Sequence, residues 1–126
     1  MVFGASCAST YVHDPLYQCS RYTPSAEEYW TPSKEEIFQL ETNFEKLASL
    51  ESNRCCNSGR IEGSPLDYFR RYHGIVIGGK KYIYVNASSR PINEMEMFCD
   101  GGKAHWGVLY DPETKTFSNL AFNGEA

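Results

Sequence analysis

The spacing of hydrophobic positions changes character along the chain. From Pro32 to Leu50, residues Ile37, Leu40, Phe44, Leu47 and Ala48 fall at helical spacing with Glu and Lys between them, which predicts one amphipathic helix. Two signals mark its start. Thr31 precedes Pro32, a residue favoured at the first helical position, and Ser33 is followed three residues on by Glu36 in the pattern of a capping box. Both put Glu35 and Glu36 in the first turn, where the helix dipole favours negative charge. Before this stretch, residues 1–30 carry Pro15, Pro24 and many Ser, Thr and Tyr with no period, and read as an extended arm. After it, Glu51 to Pro65 is a polar loop holding Cys55 and Cys56, which makes a disulfide staple the first expectation for so long a connection.

A period of two then takes over. Runs from Tyr68 to Ile77 and from Lys80 to Ala87 flank Gly78-Gly79, a pair suited to the positive φ angles of a primed hairpin turn. Counting outward from that turn sets Val76 opposite Lys81, Gly74 opposite Ile83, Tyr72 opposite Val85, Ile75 opposite Tyr82 and His73 opposite Tyr84. One side of the ribbon, with Val76, Ile83, Val85 and Ala87, suits a core. The other carries Phe69, Arg71, His73, Ile75, Tyr82, Tyr84 and Asn86, a half-polar aromatic surface. Shorter strands are predicted from Glu94 to Cys99, from His105 to Tyr110 and from Thr116 to Leu120. Asp111-Pro112 makes the last turn. Trp106, Val108 and Tyr110 alternate onto one face, with Phe117 as their neighbour across that turn.

A helix followed by strands joined through tight turns gives an α+β fold, one amphipathic helix packed on an antiparallel sheet of about four to five strands. That element order is similar to a cystatin-like or NTF2-like roll. The expected division is an arm over 1–30 and a single α+β domain over 31–126.

Charge narrows the function. Twelve Lys and Arg against 16 Asp and Glu give a net charge of -4, which argues against a surface that holds nucleic acid by neutralising phosphates. No apolar run reaches the roughly 18 residues needed to span a bilayer. Five cysteines are many for 126 residues. Gly4, Ala5 and Ser6 before Cys7 resemble the tail of a bacterial lipoprotein signal, which makes Cys7 a lipidation candidate and the only expected link to a membrane. Cys19, Cys55, Cys56 and Cys99 then remain as four that can pair. Adjacent cysteines rarely bridge each other, so Cys55 and Cys56 would reach separately to Cys19 and Cys99. This usage favours an oxidising, extracytoplasmic compartment. No metal site is expected, because no CxxC spacing occurs and His13, His73 and His105 are scattered. No cofactor is implied.

Two chemistries compete. Phe69, Arg71, His73, Tyr82, Tyr84 and Asn86, with the loop from Asp100 through Gly101 and Gly102, have the composition of a recognition surface. The competing structural reading is that the arm covers this face with Tyr11, Tyr17, Tyr22 and Trp30. Cys99 and His105, separated by glycines, are the parts of a nucleophile and its base, though Cys99 suits a disulfide equally well. Asn86-Ala87-Ser88 fits a glycosylation acceptor pattern, and Glu94 and Glu96 read as charges that discourage edge-to-edge strand pairing.

The segments Tyr72 to Asn86, Cys99-Asp100-Gly101-Gly102, Trp106-Gly107-Val108, Tyr110-Asp111 and Phe122-Asn123-Gly124 resemble small uncharacterised bacterial envelope proteins, often made as lipoproteins. The resemblance implies a periplasmic or membrane-anchored location and transfers no catalytic residue. The expectation is therefore a non-enzymatic extracytoplasmic binding module, an inhibitor or immunity-type protein whose partner is another protein. The alternative is a small hydrolase or transferase using Cys99 and His105.

Overall fold

The structure, a computed structural model, describes residues 21–53, 58–90 and 102–123. In chain order these form β1 (Glu28–Trp30), α1 (Lys34–Thr42), a 3-10 turn (Phe44–Ser49), a short 3-10 turn (Pro65–Asp67), β2 (Phe69–Ile77), β3 (Lys80–Ser88), a further 3-10 turn (Gly102–Ala104), β4 (His105–Asp111) and β5 (Thr116–Phe122). The five strands make one antiparallel sheet in the order β1-β2-β3-β4-β5. The chain is therefore α+β, with the helix covering one face of the sheet. The strand expected from Glu94 to Cys99 lies outside the described residues, as do Cys7, Cys19, Cys55, Cys56, Asp100 and Gly101.

The Gly-Gly turn sets the sheet. Gly78 and Gly79 take φ values of 59° and 77°, which L residues with a side chain adopt only with strain. The predicted pairs of the hairpin, from Val76 opposite Lys81 to Tyr72 opposite Val85, are observed, and the ladder continues beyond them to Phe69 opposite Ser88. Ile83, Val85 and Ala87 therefore face the helix side together with Trp106, Val108, Tyr110, Leu120 and Phe122, all buried. Phe117 pairs with Tyr110 in register, their rings 4.9 Å apart.

The helix is shorter than its hydrophobic pattern suggests. Ser33 is the N-cap: its hydroxyl accepts from the Glu36 N–H at 3.1 Å, and the Glu36 carboxylate accepts from the Ser33 N–H at 2.9 Å. Pro32 consequently lies just before the helix rather than at its first position. The α-helix stops at Asn43, whose side-chain amide donates to the Gln39 carbonyl and so competes with the backbone ladder. The chain continues as a 3-10 turn, in which Phe44 and Leu47 keep facing inward because a spacing of three suits that tighter geometry. Leu40, Phe44 and Leu47 are fully buried on the sheet, each contributing about 1.5–3 kcal/mol through burial.

A polar contact fixes the helix end to β2. The Tyr72 hydroxyl donates to the Glu41 carboxylate at 2.8 Å and accepts from Arg70 Nε at 3.1 Å. The Arg70 guanidinium also lies 4.4 Å over the Phe44 ring. Burial, and then the hydrogen bond to Glu41, push the Tyr72 phenol up to about 12.

The loop after the helix is closed by backbone pairing between Ser52 and Gly59, with N–H to carbonyl distances of 2.8 and 3.1 Å. Whether Cys55 and Cys56 add a staple falls outside the described residues. At the far edge of the sheet, Lys115 and Asn119 take positive φ and the β4–β5 register shifts between Gly107 and Leu109. Irregularities of this kind blunt an edge against pairing with another chain.

Candidate functional site on the outer sheet face

The face of the sheet turned away from the helix carries the hairpin residues singled out from the sequence. Alternation along β2 and β3 brings Phe69, Arg71, His73 and Ile75 onto it opposite Ser88, Asn86, Tyr84 and Tyr82. On β4 it adds His105, Gly107 and Leu109, since Ser88, Asn86 and Tyr84 pair with those three. Asn123 lies beside His105 through its N–H to the His105 carbonyl at 2.9 Å.

This face divides into a buried centre and an open rim. At the centre, Ile75, Tyr84 and Leu109 form a second small apolar cluster, with Ala26, Ile77 and Tyr82 packed against it. Tyr84 is only 2% exposed, so its ring belongs to the scaffold rather than to a contact surface. Residues 21–27 provide the cover among the described residues. Arg21 and Pro24 are buried, and the Glu27 carboxylate accepts from the Gly78 and Gly79 N–H groups at 2.8 and 3.3 Å. The chain then pairs along β2 as β1, a strand inside the segment expected to be arm. It crosses the sheet edge at Gly74, where an added Cβ would strike the Trp30 carbonyl. Trp30 thereby reaches the helix side, its indole N–H shared between the carbonyls of Ile75 and Tyr82 at 3.0 Å each. Of the arm aromatics proposed as cover, Trp30 sits on the opposite face, Tyr22 is 41% exposed, and Tyr11 and Tyr17 lie outside the described residues.

Arg21 is the residue that sequence reasoning missed. Its Nη1 donates to Asn123 Oδ1 at 2.7 Å and its Nη2 to Asn86 Oδ1 at 2.8 Å, while Nε and Nη2 reach the Tyr84 hydroxyl at 3.3 and 3.2 Å. Arg21 is 7% exposed, and all of these acceptors are neutral. Gly107 forms the floor of the site, for a Cβ there would collide with the Tyr84 hydroxyl and approach Arg21 Nη2 at 3.1 Å. A glycine inside a strand marks such a close approach, so Gly107 was open to reading from the sequence. Arg21, in a segment without period, was not.

The rim is made by β2. Phe69 is 50% exposed and Tyr29, which pairs with Ile75, is 53% exposed. Arg71, His73 and Tyr82 are half-buried. Asn86 is half-buried as well, and Ser88 of its Asn-Ala-Ser pattern is 1% exposed in a central strand, a placement that does not suit glycosylation. Gly102 is buried at φ 62° and opens the turn before β4. His105 is 5% exposed. Its relation to Cys99 lies outside the described residues. Among the described residues, no group of three or more His, Cys, Asp or Glu is placed to hold a metal ion, and no helix is long and apolar enough to cross a membrane.

The opposite end of the molecule has two open grooves that share Glu36 and Pro112, with volumes of about 660 and 250 Å³. Of the charges of the larger one, Lys80, Glu113 and Glu36 are engaged within the chain, and the Lys81 ammonium lies 5.0 Å over the Trp30 ring. Lys80 contacts Asp111 at 3.4 Å and Glu113 at 3.1 Å, and Glu36 caps the helix. Asp111 loses solvent there, but N–H groups of Glu113 and Thr114 and the Lys80 ammonium outweigh that loss and hold its carboxyl below the usual range. These contacts describe a structural corner.

Comparison with protein-family models, with curated proteins and with solved structures finds no match to this chain.

Proposed function

We propose that this protein is a non-enzymatic extracytoplasmic binding module that holds another protein through the open rim of its outer sheet face, in the manner of an inhibitor or immunity-type factor. The observation that carries this reading is the division of that face. A buried, hydrogen-bonded centre at Arg21, Tyr84, Asn86 and Asn123 supports a strand whose Phe69, Arg71 and His73 remain partly accessible. Aromatic and arginine side chains held on a stiff scaffold give contact area at small ordering cost. The strand-helix-meander order supports the finer reading of a cystatin-like roll. The periplasmic or lipid-anchored location rests on the cysteine usage and on the Cys7 context. Catalysis by Cys99 and His105 ranks below binding, because the imidazole is almost fully buried.

Photo-crosslinking tests the reading. A benzophenone amino acid placed at position 69 should give an adduct of one discrete mass in envelope extracts, and the same group at position 38, an exposed helix site, should give none. Equal adducts from both positions, or none from either, would remove the support for a binding rim. Rapid alkylation of Cys99 at neutral pH would favour the hydrolase reading instead.

A further inference from the structure

The edge of β2 is covered along only part of its length. β1 pairs with Gly74, Ile75 and Val76, and the Glu27 N–H donates to the Val76 carbonyl at 2.8 Å. Val76 therefore turns its backbone groups away from β3, and alternation along the ladder gives Tyr72 and Arg70 the same direction. β1 departs at Trp30, whose carbonyl a Cβ on Gly74 would strike, and the chain continues into α1. At the other end, the Tyr68 N–H donates to the Pro65 carbonyl and the Tyr68 carbonyl accepts from Arg70 Nη1. Between these limits, among the described residues, the N–H and C=O groups of Arg70 and Tyr72 have no strand beside them. Nothing in the strand blunts this stretch. From Phe69 to Ile77 it holds no proline and no residue at positive φ, and its pairing with β3 shows no register shift. The opposite edge of the sheet, β5, has Asn119 at positive φ and a shifted register, devices that discourage pairing. The Arg70 guanidinium does not guard the edge either, because it is held on the helix side by Tyr72 and over the Phe44 ring. Apolar residues stand at both ends of the gap, Tyr29 at one and Leu66 with Phe69 at the other, three of the five large hydrophobic residues exposed among the described residues.

Resting on the binding reading above, we infer that the partner docks by adding a strand to β2: an extended segment of another protein runs antiparallel to it along Arg70 and Tyr72, with β-branched or aromatic residues at alternate positions. Strand addition takes its affinity from main-chain hydrogen bonds and its selectivity from alternate side chains. Arg70 and Tyr72 supply the first. The second falls to Phe69 and Tyr29, which stand on the outer face and meet the partner residues that point the same way. The side chains of Arg71 and His73 have interactions within the chain and are not called on. A second copy of this chain is the poorer occupant. β1 blocks any two-fold register that reaches Gly74, so the stretch from Phe69 to His73 pairs with its copy at full length only when Arg71 stands directly opposite Arg71. Like charges so placed are destabilising.

Amide hydrogen exchange of the full chain, followed by NMR, tests this with an acetylated octapeptide of alternating Val and Thr as the probe. In the free protein the Arg70 and Tyr72 amides should exchange quickly, while those of Arg71 and His73, bonded to β3, are protected. The peptide should slow Arg70 and Tyr72 about ten-fold or more. The same peptide N-methylated throughout should do nothing, having no main-chain donors. Phe69→Ser should weaken the peptide about two- to five-fold, the worth of one cross-strand pair, and Phe38→Ser, on the helix, should leave it unchanged. Arg70 and Tyr72 amides already protected in the dilute free protein would mean that the chain's own residues fill the edge, and would overturn the inference. So would peptide that leaves both amides in fast exchange, equal protection by the N-methylated peptide, or protection that rises with protein concentration alone, the mark of a second copy. A position-69 crosslink that forms while Arg70 and Tyr72 stay in fast exchange would leave the binding module standing and remove only strand addition.

Discussion

Arg21 and Gly107 show how a single polar residue anchors a segment that has no hydrophobic pattern. The Arg21 guanidinium spends its donors on three side chains far away in sequence, and it fits because the strand below it carries no Cβ at Gly107. Replacing Arg21 by Gln leaves acceptors of a buried site without their donor, at a cost of about 1–3 kcal/mol. A lower urea midpoint at unchanged slope would register that loss, and an unchanged midpoint would contradict the assignment. Gly107→Ala should be costlier to accommodate than a usual glycine replacement in a strand, because the added methyl meets a buried tyrosine hydroxyl. Overpacking of this sort costs about 1–3 kcal/mol, measurable as a drop in Tm. The sequence announced the glycine but not the arginine, since nothing local distinguishes Arg21 from other polar residues of the arm. Its role exists only through contacts spanning up to 102 residues of sequence.

The hairpin was legible down to its register, because Gly78-Gly79 defines the turn and alternation then assigns every side chain to a face. The helix was legible at its start, where Ser33 and Glu36 cap each other, but not at its end. Phe44 and Leu47 lie three apart and satisfy both the α and the 3-10 spacing, so the break at Asn43 leaves no trace in the hydrophobic pattern. Burial of Tyr84 was likewise hidden, since alternation gives the face of a residue but not whether an arm lies over it. The link between helix and sheet at Glu41, Tyr72 and Arg70 has a pH signature. The folded state raises the Tyr72 phenol to about 12, above its ordinary value near 10. The stability tied to its neutral form is therefore complete below about pH 10 and declines as pH rises toward 12. Denaturant titrations across that range should show the decline in the parent protein and a smaller one in Tyr72→Phe. Equal slopes would exclude Tyr72 as its source.

At the scale of the molecule, the sheet is a wall with different tenants on its two sides. The helix and its 3-10 continuation fill one side with a contiguous apolar core. On the other, among the described residues, residues 21–27 cover the centre and leave Phe69 of β2 exposed, with Arg71 and His73 half-buried beside it. A paired measurement tests this division between scaffold and contact surface most directly. The rim double variant Phe69→Ser with His73→Ser and the centre variant Tyr84→Ala would be compared for Tm and for the yield of a crosslink from a benzophenone group at position 29, an exposed site beside the rim. The account predicts that the rim variant keeps its stability within about 0.5–1 kcal/mol, as exposed substitutions do, while losing the crosslink, and that Tyr84→Ala loses about 3–5 kcal/mol, as a buried ring does. A rim variant that unfolds as readily as Tyr84→Ala, or one that keeps the full crosslink yield, would contradict it.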